Sequence, residues 1–130
     1  ENALKITRKA FNYLDQGDLV NATTTLCNEH MVGISRASKI IGLYDQENLC
    51  IYDSRVGYAL RDLKHNGKRL ILIPASRDLD KLHDTASYKE WAKNYKLLIW
   101  ILEEIRDYMN KQGCTYRLAD VEMALFMMGQ

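Results

Sequence analysis

"VGISRASKIIGLYDQENLCIYDSRVGYAL", residues 32 to 60, contains two helix starts from which the rest of the chain is read. Val32 and Gly33 make a tight connection, and a helix is expected from about Ser35 to Leu43, with Gly42 and the polar "YDQEN" ending it. Leu49, Cys50, Ile51 and Tyr52 then form an apolar approach that delivers Asp53 to the start of a second helix. That helix is expected to run to Lys64 and to bury Val56, Ala59, Leu60 and Leu63. An Asp in this place accepts hydrogen bonds from the unpaired amides of the first turn and faces the positive end of the helix dipole, and most such residues do nothing more. Asp53 follows Ser35 by 18 positions, so the two helix N-termini are expected to share one surface and to present backbone amides to a phosphate or other anion.

Outward from this stretch the periodicity stays helical. Residues 3 to 15 place Ile6, Ala10, Tyr13 and Leu14 on one face, and Gly17 closes the segment. Asp18 caps a shorter helix carrying Leu19, Ala22, Leu26 and Cys27. Beyond the opening stretch, residues 66 to 86 are the least regular. Their "RLILIPAS" (69 to 76) is expected to be an apolar loop pressed on the core, because a lone strand would have no partner. Ser87 and Glu90 have capping-box spacing, and Trp91, Tyr95, Leu98, Leu102, Ile105 and Met109 repeat at steps of four and three up to Gly113. "RLADVEMALFMMG" (117 to 129) is expected to be a last helix with Leu118, Val121, Leu125 and Met128 inward. With one proline in 130 residues, the expected fold is all-α: a single helical domain of about five to seven helices spanning 1 to 130.

Composition excludes several classes. Eighteen basic and seventeen acidic residues leave a net charge of +1, so a nucleic-acid or membrane partner must be met by a local patch. The longest apolar runs, such as "LLIWIL" at 97 to 102, fall far short of the roughly 20 residues that span a bilayer, so a soluble, cytoplasmic chain without a membrane partner or secretory signal is expected. Cys27, Cys50 and Cys114 are odd in number and widely spaced, which speaks for a reducing compartment and against a disulfide framework or zinc site. The chain opens on Glu1 in place of Met, which reads as a piece of a longer protein.

Gly33, Ser35, Ala37, Ile51, Asp53, Val56 and Leu60 together resemble the segment of the helix-hairpin-helix DNA glycosylases in which a hairpin Gly leads to a Lys or Ser and, some 18 or 19 positions on, to Asp-x-x-Val at a helix start. The closing "DVEMALFMMG" resembles the ending of compact bacterial 8-oxoguanine-glycosylase-like proteins, with an acidic residue and an aromatic in a last helix and a terminal Gly. The similarity covers 30 to 40 residues, with the hairpin-like element at about 26 to 43. It implies hydrolysis of the N-glycosidic bond of a modified or mismatched base, without cofactor or metal, and DNA as partner. It also implies a partner subunit or further lobe completing the cleft.

Asp53 would then stabilise the positive charge that builds on the sugar and orient or deprotonate the attacking water. Its helix N-terminus would keep it ionised. Ser35 stands where bifunctional members carry Lys, so no Schiff base is expected there; Lys39, one turn on, is the nearest amine on that face. A flipped base needs an apolar or aromatic pocket, for which Tyr44, Tyr52, Phe126 and one of the tryptophans are candidates. Gly33, Arg36 and the cluster Arg61, Lys64, His65, Lys68 and Arg69 are the candidate phosphate contacts. The family's Leu-Pro-Gly-apolar-Gly corresponds here to Glu29 through Gly33, so Met31 replaces a glycine and is expected to resist positive φ. No iron-sulfur cluster is expected, since four closely spaced cysteines are absent. Arg77 and His83, at R-x5-H spacing, faintly resemble HEPN ribonucleases. The competing reading is a non-catalytic helical interaction domain built on the same scaffold.

Overall fold

The computed structural model describes residues 2–76 and 82–130. The described chain is all-α, with one small hairpin: α1 (Asn2–Asp15), α2 (Leu19–His30), α3 (Ile34–Tyr44), α4 (Ser54–Ala59), β1 (Lys64–His65), β2 (Lys68–Arg69), α5 (Tyr88–Lys111) and α6 (Leu118–Met128). Helix α5 is the spine. Its capping box forms in full, with Ser87 and Glu90 satisfying each other's backbone amides, and Trp91, Tyr95, Leu98, Ile99 and Leu102 bury one stripe. Helices α2, α3 and α6 pack on that stripe, and α1 lies on α2. No helix among the described residues is long and apolar enough to cross a membrane.

Two extended segments run through the helices without strand partners, and side chains stand in for the missing strands. In the approach to Asp53, the Tyr95 hydroxyl donates to the Cys50 carbonyl, the Ile51 amide donates to Glu122 Oε1 at 3.4 Å, and the Tyr52 amide donates to Ser38 Oγ at 2.7 Å. Three helices thus hold three residues in place, because buried backbone groups need partners whatever supplies them. Residues 70 to 76 are a loop, as expected of "RLILIPAS" except at Arg69, which pairs with Lys64 in the hairpin, and Asn94 serves that loop in the same way. The Asn94 amide nitrogen donates to the Leu70 carbonyl at 3.0 Å, and its Oδ1 accepts from the Leu72 amide at 2.9 Å. The Tyr52 hydroxyl reaches the same Oδ1 at 2.8 Å. Asn94→Ala strands all three, so a loss of about 2–4 kcal/mol is expected, seen as a lower urea midpoint at unchanged slope.

Three expectations are corrected. Helix α4 stops at Ala59 rather than Lys64, because Asn66 and Gly67, at φ 52° and 78°, close a two-residue hairpin that requires Lys64–His65 to be extended. Leu63, outside the helix, is therefore exposed. Met128 is also exposed, since the inward position after Leu118, Glu122 and Leu125 belongs to Gly129, whose backbone lies against Arg55. Met31 does take the left-handed conformation, at φ 51° and ψ 46°, capping α2 through its amide to the Cys27 carbonyl. Its side chain points to solvent, which relieves the crowding but not the backbone cost. Met31→Gly should consequently raise stability by about 0.5–1 kcal/mol, read as a higher melting temperature.

Candidate functional site

Asp53 sits with extended backbone at the head of α4, and its Oδ1 accepts from the Val56 amide at 3.0 Å. Oδ2 takes no hydrogen bond among the described residues. The carboxylate is a cap and also faces a cavity of about 610 Å³. Ser35 and Lys39 line that cavity from α3, Ile51 and Asp53 from the extended approach, Arg55 from α4, and Glu122, Met123 and Phe126 from α6. Four residues singled out in the sequence (Ser35, Lys39, Asp53 and Phe126) therefore meet at one place.

Helical and extended periodicities explain who arrives. Ser35 and Lys39 are one turn apart on α3, as are Glu122 and Phe126 on α6. Alternation along the approach turns Ile51 and Asp53 to the cavity and Cys50 and Tyr52 to the core. Tyr52 is fully buried against Trp91 and Tyr95, with burial driving its pKa upward, so it does not line a base pocket. Tyr44 is also removed from that role: it lies near the other end of α3, stacked on Phe11 at 4.1 Å between ring centres and bonded to Asp15. Phe126 alone of the three aromatics stays, and the Arg55 guanidinium lies 4.6 Å from its ring centre. Of the two tryptophans, Trp91 lies in the core stripe and Trp100 faces outward from α5.

Beside this cavity lies a second of about 440 Å³, lined by Gly33, Ser35, Arg36 and Trp91 among others, and Ser35 and Ala75 border both. Gly33 precedes α3 without a side-chain cap. The basic cluster divides. Lys64, His65 and Lys68 are exposed on the hairpin. Arg69 is instead bound to Asp84 at 2.6 Å, and Arg61 folds back on the Tyr58 carbonyl and ring. Those two guanidinium groups are committed within the chain, which is a correction to the phosphate-contact set. Asp84 also accepts from the Ile73 amide at 2.8 Å, so the pair pins the loop after β2. His83 is exposed, and Arg77 lies outside the described residues.

Glu122 is the residue the sequence reading passed over. It is 5% exposed, and its one hydrogen bond among the described residues is to the Ile51 amide. Burial above all, with the Asp53 charge adding and the Ile51 amide opposing, pushes its carboxyl up to about 6 from 4.5. The folded state therefore holds the proton more tightly across that window, so stability falls as pH rises from about 4.5 to 6 and is level above. Glu122→Gln removes this cost and should gain about 2 kcal/mol at pH 8 but nothing at pH 4, checked by thermal melts at the two values. A charged residue on the apolar face of the last helix, between Val121 and Leu125, was the available signal.

No family model, curated protein or solved structure matches this chain. The site's chemistry rests on its own residues. Two carboxyl groups, one solvent-facing and one buried with a raised pKa, share a cavity with an amine, a hydroxyl and an aromatic ring.

Proposed function

We propose that the chain is a DNA-glycosylase-like hydrolase that breaks the N-glycosidic bond of a modified or mismatched base without a lyase step, working in the cytoplasm. The carrying observation is that Ser35, Asp53 and Phe126, far apart in sequence, line one cavity. In this reading Asp53 Oδ2 faces the sugar as its bond to the base lengthens. A carboxylate oxygen fixed beside that carbon then stabilises the developing cation. Phe126, held by Arg55, gives the extruded base a flat apolar surface. Gly33 and Arg36 beside α3, with Lys64 and Lys68 on the hairpin, take phosphates, and a partner subunit or further lobe closes the cleft.

The test uses duplexes carrying one modified base each. The expected result is release of the free base with the strand intact until alkali is added, because Ser35 offers no amine. Borohydride trapping of a protein–DNA adduct would contradict the lyase-free assignment and point to Lys39. A chain that releases no base and binds abasic-site duplex no better than plain duplex is the interaction domain instead.

A further inference from the structure

Beyond the role of Asp53, and resting on the reading just given, we infer that Glu122 is the general acid of the same cavity, passing its proton to the departing base. The substrate class follows: a neutral base that leaves poorly unless protonated, rather than one made cationic by alkylation.

Three observations carry this. Glu122 is nearly buried yet borders the cavity that Asp53 lines, and it also borders a smaller pocket beside Gly42, Arg117 and Asp120. Its Oε1 is anchored by the Ile51 amide, while Oε2 has no partner among the described residues. Phe126, one helical turn along, lines the same cavity as Glu122. A buried carboxyl with a spare oxygen is costly as structure alone, since an apolar or amide side chain would fill the position without the desolvation of a charge. The raised pKa is consistent with a carboxyl kept protonated close to neutral pH.

The charged and titratable groups around Glu122 divide by element. Asp53 and Cys50 come from the extended approach, Tyr95 from α5, Lys39 from α3 and Arg55 from α4, while Arg117 and Asp120, paired with each other at 3.2 Å, share a pocket with it at the start of α6. The Asp53 charge and burial favour the protonated form of Glu122, and both thiol and phenol are held neutral by burial.

The step balances. The electron pair of the bond between anomeric carbon and base nitrogen leaves with the base, which takes the Glu122 proton. Water supplies the new bond to the anomeric carbon and loses its proton to Asp53; exchange with solvent then removes that proton from Asp53 and returns one to Glu122.

The test compares wild type, Glu122→Gln and Asp53→Asn on duplexes containing hypoxanthine, a neutral base, or ring-methylated guanine, a cationic one. Wild type should release hypoxanthine with a rate that falls above about pH 6 as the acid ionises. Glu122→Gln should lose about 100-fold or more on hypoxanthine, lose that pH limb, and keep its rate on methylguanine. Asp53→Asn should fail on both. Equal rates for Glu122→Gln and wild type on hypoxanthine, or equal losses on both bases, overturn the assignment of Glu122 and leave the hydrolase standing. No release of either base by wild type overturns both.

Discussion

Asp53→Asn is expected to lower base excision by about 10³-fold while leaving the fold intact. The two halves of that result have different causes. Asn is as good an N-cap as Asp, so the Val56 amide keeps its partner and stability should stay within about 0.5 kcal/mol. The charge is what disappears. An amide dipole facing a developing sugar cation replaces little of what a carboxylate supplies there. Single-turnover release of base, read beside a thermal melt, separates the two. Unchanged release by a folded Asp53→Asn would leave the carboxylate as a cap and nothing else.

Gly129→Ala is expected to destabilise the chain by about 2–3 kcal/mol and to disturb the same cavity. A Cβ at residue 129 would lie 1.9 Å from the Arg55 carbonyl oxygen and 2.7 Å from its carbon, both backbone atoms of the first turn of α4. No rotamer relieves such a contact. Either α6 withdraws or the head of α4 moves, and Asp53 and Arg55 sit at that head. The loss should appear as a lower denaturant midpoint together with slower excision, whereas Ala at Gly113, which has nothing near its Cβ position, should strain only its own backbone at φ 101°. Normal stability and activity in Gly129→Ala would show that the α4–α6 contact does not position the site.

The regular helices were legible because their signals are local. The capping box at Ser87 and the four-and-three repeat through α5 lie within one element and formed as read. The end of α4 was missed although its signal was also local: Asn66-Gly67 specifies a two-residue hairpin, and the preceding helix cannot continue through it. The cavity was half legible. Ser35 and Asp53 could be paired because each opens a helix, but Tyr44 and Tyr52 were misplaced because an aromatic residue does not announce its direction. Alternation along residues 50 to 53 would have turned Tyr52 away from whichever side Asp53 faces. Glu122 reaches the site only through α6 docking on α4, a contact between distant segments that periodicity does not encode.

The central claim is that Asp53 faces a sugar that becomes positively charged, and binding tests it most directly. Two duplexes differing only in the abasic-site mimic, one a neutral cyclic ether and the other a cationic pyrrolidine, are titrated with wild type and with Asp53→Asn at fixed salt. The account predicts that wild type binds the cationic mimic about 10–100 times more tightly and that Asp53→Asn loses the preference. Equal affinity of wild type for both mimics, or a preference that survives in Asp53→Asn, would contradict it.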